Sequence, residues 1–437
     1  MSEPAQGPQA QAAPAAGSGG SGTRGGVSLL RNHGGGHAPV SYLELFFDLV
    51  YVFAITQLSH TMLAHMGLLG LVETTMLFLA VWWVWIFTTW AANWTDPERA
   101  PVRIMLLLAM LASLGLSIAL PEAFEEGPHG HALLFAGCYV GVQVGRSAFV
   151  AWAMARSGRP DDSRGGYNTS ALNWSNRGAR NMLRITAWFS ASAPFWLAGA
   201  LVGDSLWHLL LWALALAIDF GGPLCGFATP GLGRSVPEDW TISGSHMAER
   251  CALFIIIALG EGIVVSGSSL AHGEPGAVDA VAMILAFAGS ALMWWIYFGL
   301  GAERGARRIS GNAQAGRMAR QSYTYLHMPI VGGIVISAVA DALLLPAPLA
   351  PATMPLIATQ TGGLLVFLIG TGLFKKPGSP HGNFALSHWI GGVLLVAIAA
   401  WGALAHPPAA LLVGASVVAL TVVAWREWAS LHDRAPV

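Results

Sequence analysis

The sequence is dominated by apolar runs long enough to cross a lipid bilayer. A helix needs about 20 apolar residues to span roughly 30 Å of hydrocarbon, and twelve runs are close to this length. They lie near 41–65, 68–92, 102–120, 131–155, 183–202, 205–221, 246–270, 277–300, 322–344, 353–374, 385–405 and 408–427. Only 10% of the residues are charged, against about 25% in soluble globular proteins. The sequence therefore predicts an all-α, polytopic integral membrane protein of about twelve transmembrane helices.

The charges between the runs predict an orientation. If the N-terminus is cytoplasmic, 21 of the 22 basic residues fall on inner segments and the outer loops contain none. Cytoplasmic loops of membrane proteins carry such an excess of Lys and Arg, so we expect both termini in the cytoplasm. The first apolar run is of spanning length, which predicts a retained signal-anchor helix rather than a cleaved leader. The remaining basic residue, Arg146, lies in the middle of the fourth run and needs a partner.

The chain divides into a tail and a membrane domain. Residues 1–40 consist mostly of Ala, Gly, Pro, Ser and Gln, a composition that predicts disorder. Residues 41–430 form the predicted transmembrane domain, and 431–437 a short C-terminal tail. A Trp pair occurs in both the second and the eighth run, as Trp82-Trp83 and Trp294-Trp295.

These pairs indicate an internal duplication. The first and seventh runs also open with an acidic residue, Glu44 and Glu249. Because six helices preserve orientation, the halves 41–230 and 246–430 are predicted to be parallel six-helix repeats.

The first run contains two carboxylates, Glu44 and Asp48. Their spacing of four places both on one helical face. Charged residues within a membrane usually face a bundle interior or a water-filled cavity. Two interpretations stay open: a proton- or cation-responsive element of a conduction or substrate path, or a structural arrangement in which Arg146 neutralises Asp48 and Glu44 lies at the interface.

The seventh run contains Glu249, Arg250 and Glu261. The first two lie near its start, where an ion pair or snorkelling to the interface costs little. Glu261 lies about 18 Å beyond Glu249 along a helix, which predicts a position in the hydrocarbon core, flanked by Gly260 and Gly262. It is either part of a functional path or a neutral Glu hydrogen-bonded across helices.

Several function classes have no support in the sequence. Cys138, Cys225 and Cys251 lie far apart in apolar runs without zinc-ligand spacing, which predicts buried thiols rather than disulfides or metal ligands. The net charge of -1 and the absence of nucleic-acid motifs speak against a nucleic-acid partner. Nucleotide-binding and nucleophile-elbow motifs are absent. We therefore expect no enzyme activity, cofactor or metal, and the lipid bilayer as the one evident partner.

Two motifs resemble a known family. The run Glu44-Leu-Phe-Phe-Asp48-Leu-Val-Tyr-Val-Phe-Ala-Ile-Thr-Gln-Leu-Ser-His60 resembles the opening signature of the bacterial low temperature requirement A (LtrA) family. The run Ala248-Glu-Arg-Cys-Ala-Leu-Phe-Ile-Ile-Ile-Ala-Leu-Gly-Glu261 resembles its second signature. This likeness covers about residues 41–430 and implies a multipass protein of the bacterial inner membrane, linked by name to growth in the cold. At Gly262 the family commonly has Ser, so the resemblance predicts that a hydroxyl partner of Glu261 is missing.

A shorter likeness involves residues 47–56. They are similar to the Phe-Ser-Asp signature in the first helix of a potassium-channel family built from six-helix repeats, with Phe47 in place of the serine. The leading hypothesis is a transporter or channel for a small ion or solute, with Asp48 and Glu261 on its path, Glu44 as an entry charge and Arg146 as the counter-ion of Asp48. The alternative is a non-transporting structural or lipid-interacting protein that supports growth in the cold.

Overall fold

The structure of the 437-residue chain is a computed structural model. The structure describes residues 28–31, 39–125, 130–157, 160–161, 166–167, 172–236, 239–240, 243–270, 276–299, 320–376 and 384–432. Most of the predicted tail 1–40 and residues 433–437 lie outside this set.

Twelve long helices make up almost all of the described part. They are α1 (Tyr42–Ala64), α2 (Leu68–Trp94), α3 (Ala100–Ala119), α4 (Ala132–Arg156), α5 (Arg177–Leu201), α6 (Ser205–Leu224), α7 (Gly244–Leu270), α8 (Ala277–Phe298), α9 (His327–Leu344), α10 (Met354–Lys375), α11 (Leu386–Ala405) and α12 (Ala409–His432). A 3₁₀ turn (Leu120–Glu122) follows α3, and a π-helical segment (Arg320–Leu326) runs into α9. Two-residue strands, β1 (Pro160–Asp161) and β2 (Gly166–Tyr167), pair in the connection between α4 and α5. The predicted all-α polytopic architecture is confirmed.

Eleven helices of the described part are long and apolar enough to cross a membrane. The twelfth is α5, whose first turns contain Arg177, Arg180 and Arg184. Arg184 is nonetheless buried: its Nε lies 2.9 Å from the carbonyl oxygen of Leu232 and its Nη1 3.2 Å from Asp239 Oδ2. Because α5 has 25 residues and packs along both α4 and α6, it belongs to the bundle despite its charged start.

The first six helices and the last six pack in a similar order. In each set the first helix contacts the second and third, and the third, fourth, fifth and sixth follow one another in contact. The second helix of each set also contacts the fourth and the sixth. The two sets meet where α1 packs against α7 and α9. The boundary between the predicted halves is therefore built around α1 and α7.

The two Trp pairs have different surroundings. Trp82 and Trp83 of α2 are completely buried, whereas Trp294 and Trp295 of α8 are 46% and 50% exposed. Trp82 Nε1 donates to the carbonyl oxygen of Thr324 at 2.8 Å. The α2 pair therefore packs in the core, while the α8 pair faces outward, so this sequence similarity does not extend to equivalent environments.

Part of the predicted tail is held by the bundle. Residues 28–31 run beside the end of α2, where the Arg31 amide donates to the carbonyl oxygen of Trp94 at 3.0 Å and the Asp96 amide to that of Leu29 at 2.9 Å. Arg31 Nη2 also lies 3.4 Å from Glu44 Oε2. The predicted disorder therefore does not extend to residues 28–31.

Candidate functional site

The carboxylates of α1 are positioned by the way the helix begins. Ser41 is the N-cap: its hydroxyl accepts from the Glu44 amide at 3.3 Å, and its own amide donates to Glu44 Oε2 at 2.7 Å. Such a capping box satisfies two amides that would otherwise have no partner at the helix start. Glu44 and Asp48, one turn later, then face α7.

Asp48 pairs with an arginine of α7. Arg250 Nη1 donates to Asp48 Oδ2 at 2.7 Å and to the backbone carbonyl oxygen of Glu44, also at 2.7 Å. Trp85 Nε1 of α2 donates to the other Asp48 oxygen at 2.8 Å. All of these side chains are buried. Both oxygens of Asp48 are therefore engaged in a buried, charge-assisted contact between the two halves.

Glu44 pairs with a histidine one turn before that arginine. His246 Nε2 lies 2.7 Å from Glu44 Oε1, and its Nδ1 lies 3.1 Å from Asn93 Nδ2 of α2. The Ser243 amide donates to Asn93 Oδ1 at 3.1 Å, which fixes the orientation of that amide group. Since Asn93 Nδ2 can only donate, Nδ1 accepts and the proton on Nε2 points at Glu44. We call Glu44, Asp48, His246 and Arg250 the ionic clasp.

The predicted pairing of Asp48 with Arg146 is wrong. Arg146 Nη1 donates to the carbonyl oxygen of Val84 at 3.2 Å and to Thr88 Oγ1 at 3.0 Å, and Nη2 donates to Gln143 Oε1. Arg146 lies between α4 and α2. There its guanidinium group donates to backbone, hydroxyl and amide oxygens rather than to a carboxylate. The physical reason is that Arg250 reaches Asp48 from α7 and balances its charge.

Arg146 instead begins a second polar network within the first half. Gln143 Nε2 donates to the hydroxyl oxygen of Tyr139 at 3.3 Å, and that hydroxyl donates to Asp219 Oδ2 at 2.7 Å. Trp196 Nε1 donates to the same oxygen at 3.1 Å. Asp219 is buried within the bundle.

Arg250 and Glu249 are adjacent in the sequence but lie in different surroundings. Arg250 is 1% exposed and points into the clasp, so snorkelling to the interface, one of the two options expected for it, does not occur. Glu249 is half-buried. The helical step of 100° between successive residues gives them different surroundings.

Glu261 lies far from the clasp, between the same two helices. It follows Arg250 by eleven residues, about 17 Å along α7, and is 2% exposed. Thr56 Oγ1 of α1 donates to its Oε2 at 2.6 Å, while its Oε1 is buried and has no partner in the described part of the chain. Asp48, Arg146 and Glu261 therefore occupy three separate places rather than one cavity.

Gly262 does not deprive Glu261 of a hydroxyl partner, because Thr56 supplies one from α1. The missing side chain of Gly262 faces elsewhere: a Cβ there would lie 3.0 Å from Ser290 Oγ of α8 and 3.3 Å from Asp341 Oδ2 of α9. Asp341 is 7% exposed.

Sequence reasoning missed His246, Trp85, Asn93 and Thr56. One signal was present: His246 and Arg250 are four residues apart, as are Glu44 and Asp48, so each parallel helix presents two polar groups at the same spacing. Nothing in the spacing identifies Thr56 as the partner of Glu261. Within the described residues, no group of three or more His, Cys, Asp or Glu side chains is placed to hold a metal ion.

The fold and these buried polar contacts define the class of protein: an α-helical, multipass membrane protein whose two sets of helices are joined by charged contacts between α1 and α7. Residues 39–424 match the family described as bacterial low temperature requirement A protein (LtrA), and the chain belongs to this family. It is also similar to the uncharacterized protein RA0937 of Rhizobium meliloti (strain 1021), with 37% identity over 350 residues, 80% of each chain. No solved structure matches the chain.

Proposed function

We propose that this protein transports a small ion or solute across the bacterial inner membrane along a path between α1 and α7. The observation that carries the proposal is Glu261, a buried carboxylate deep in a membrane helix with one oxygen bonded to Thr56 and the other without a partner. A buried ionisable group in a membrane is expensive, and such groups commonly mark ion or substrate paths. A purely structural Glu would be expected to have both oxygens bonded.

The ionic clasp has a different role in this proposal. With the orientation predicted from the loop charges, it lies at the cytoplasmic end of α1 and α7. Its four side chains are paired and buried, so it closes the space between the halves at that end. In this proposal the contacts of Glu44 and Asp48 with α7 must break before the transported species can pass. Neither residue binds that species.

Flux in liposomes tests the proposal. The purified protein is reconstituted, and K⁺, Na⁺ and H⁺ gradients are applied in turn, with protein-free liposomes and liposomes containing an unrelated multipass protein as controls. We expect flux of at least one species well above both controls. If all three gradients and a panel of small organic solutes give only the control rate, the protein is not a transporter.

One observation favours the second candidate, a lipid-interacting protein that supports growth in the cold. An apolar crevice of about 330 Å³ lies between α3 and α4, and its lining includes Leu108, Gly141 and Gly145. Leu108 is exposed on the outer surface of the bundle, and a Cβ on either glycine would meet no atom within 4 Å. The crevice has the shape and polarity to take a lipid acyl chain.

A matched pair of variants tests this candidate. Gly145→Leu fills the crevice, whereas Gly137→Leu adds the same side chain to an open, exposed position of α4 outside its lining. Native mass spectrometry counts the lipids that co-purify with each. Lipid loss confined to Gly145→Leu, together with impaired growth in the cold, supports a lipid role. Equal lipid content in the two variants excludes this crevice as its basis.

A further inference from the structure

The crevice between α3 and α4 has the length of one leaflet of a bilayer. Its lining runs along α3 from Pro101 to Ala112 and along α4 from Phe149 back to Gly141. The α3 side corresponds to about 17 Å of helix, and one leaflet contributes half of the roughly 30 Å of hydrocarbon. Gly141 and Gly145 are exposed, so the crevice opens on the outer surface of the bundle. Its length and opening therefore match a single acyl chain.

An aromatic and a basic side chain continue the same face of α4 beyond the crevice. The ring of Phe149, which lines the crevice, lies 5.6 Å from the ring of Trp152. The guanidinium carbon of Arg156 lies 5.5 Å from the centre of the Trp152 ring, and Arg156 is exposed at the end of α4. Steps of three and four residues keep all three on one helical face. The order of crevice, Trp and Arg follows the order of acyl chain, interface and headgroup in a bilayer.

The start of α3 lies at the same end of the crevice. Helices α3 and α4 are neighbours, and Phe149 packs against Val102 and Met105 near the start of α3. Arg99, the N-cap residue of α3, has no side-chain acceptor for the amides of the first turn. The N-terminus of a helix attracts anions. The start of α3 and Arg156 therefore both favour a negatively charged group at this end.

We propose that the crevice binds an anionic phospholipid, with one acyl chain between α3 and α4 and the phosphate beside Arg156. The lining is mostly apolar, and Arg146, which also belongs to it, directs its guanidinium group to α2. Arg binds phosphate oxygens through its planar fork of donors, and basic residues beside a membrane helix attract anionic headgroups. This inference rests on the second candidate function, because it names the lipid that the crevice takes.

Two exposed arginines near helix ends provide a matched test. Arg156→Gln removes the phosphate contact, whereas Arg426→Gln removes the same charge near the end of α12. The full chain is purified in detergent, stripped of lipid and mixed with phosphatidylglycerol, phosphatidylethanolamine or diacylglycerol of the same acyl chains. Native mass spectrometry gives the concentration at which the first lipid is half-bound. Gly145→Leu, which fills the crevice, and Gly137→Leu, which lies outside its lining, are measured alongside.

We expect the wild type and Arg426→Gln to bind phosphatidylglycerol equally well. Arg156→Gln should need a concentration about fivefold higher, the factor for one contact between an Arg and an anionic lipid. The wild type should bind phosphatidylethanolamine and diacylglycerol more weakly, and Gly145→Leu should lose the binding that Gly137→Leu retains. Equal binding of phosphatidylglycerol by Arg156→Gln and Arg426→Gln would overturn the inference. Phosphatidylethanolamine bound as tightly as phosphatidylglycerol would overturn it too.

The same variants separate this inference from the function on which it rests. Binding that depends on Arg156 and Gly145, together with normal growth of the Gly145→Leu strain in the cold, would support the lipid site and refute the role in the cold. Lipid loss in Gly145→Leu without any effect of Arg156→Gln would keep the crevice as an acyl-chain site and overturn the headgroup that we assign to it.

Discussion

At the scale of single residues, two buried arginines show how strongly the neighbouring helix decides the role of a charge. Arg250 bonds to a carboxylate and a carbonyl oxygen of α1, whereas Arg146 bonds to a carbonyl, a hydroxyl and an amide oxygen. Both occur in apolar helices. A charge-assisted contact such as that of Arg250 with Asp48 is strong only while both partners remain.

Removing one member of that pair should therefore destabilise the fold strongly. We expect Arg250→Met to lower the free energy of unfolding by about 3–5 kcal/mol, the cost of leaving one buried charge unpaired. The double variant with Asp48→Asn should lose much less than the two single losses combined, because neither charge is then left alone. Thermal or denaturant unfolding in detergent measures all three variants. Additive losses would show that the two residues do not interact.

The hydrogen bond from the Thr56 hydroxyl to Glu261 leads to a second prediction about single residues. Thr56→Val keeps the shape of the side chain but removes the donor to Glu261 Oε2, while Thr56→Ser keeps the donor and serves as the control. We expect the valine variant to lose about 1 kcal/mol of stability, typical of one hydrogen bond between membrane helices, and to transport more slowly. If the two variants had the same stability and the same transport rate, the Thr56 hydroxyl would have no role at the site.

At the scale of helices, close contacts depend on small residues. A Cβ on Gly363 of α10 would lie 2.8 Å from Ser337 Oγ and 2.9 Å from the Ser337 amide nitrogen of α9. Small residues allow membrane helices to approach in this way, since packing rather than hydrophobic burial holds them together in lipid. The tight contact of α9 with α10 therefore depends on which face of α10 carries its glycines.

Adjacent glycines in α10 test this dependence. Gly363→Ala should lower stability by about 1–3 kcal/mol, because the methyl group overpacks the contact with α9. Gly362→Ala, where a Cβ would meet no atom within 4 Å, should be neutral or slightly stabilising, since Ala is a better helix former than Gly. The unfolding temperatures of the two variants test whether Gly363→Ala is less stable than Gly362→Ala. Equal losses would mean that helix propensity, rather than contact, sets the effect.

At the scale of the whole molecule, the loop charges predict that both termini are cytoplasmic. The prediction is tested with single cysteines in a background where Cys138, Cys225 and Cys251 are replaced by alanine. A cysteine at Glu125 should react with a membrane-impermeant reagent in intact cells, and one at Lys376 only after permeabilisation. The reverse pattern would invert the orientation and place the ionic clasp at the outer end.

The sequence was sufficient to predict the architecture but not the partners of its buried charges. Run length and loop charge depend on the chain locally, so the helices appeared near their predicted positions, including α5 despite its three arginines. The shared face of Glu44 and Asp48 followed from helical spacing. The partner of Asp48 depends on which helix packs against α1, and no local pattern distinguishes Arg250 from Arg146.

The most direct test of the account is the initial flux rate of Glu261→Gln relative to wild type, in liposomes with equal amounts of folded protein. Glu73→Gln, the same substitution in a half-buried position of α2, is the control. We predict that Glu261→Gln lowers the rate at least about tenfold, equivalent to about 1.4 kcal/mol, while Glu73→Gln transports like wild type. Unchanged flux in folded Glu261→Gln would contradict the account, because the path between α1 and α7 would then not depend on the carboxylate that defines it.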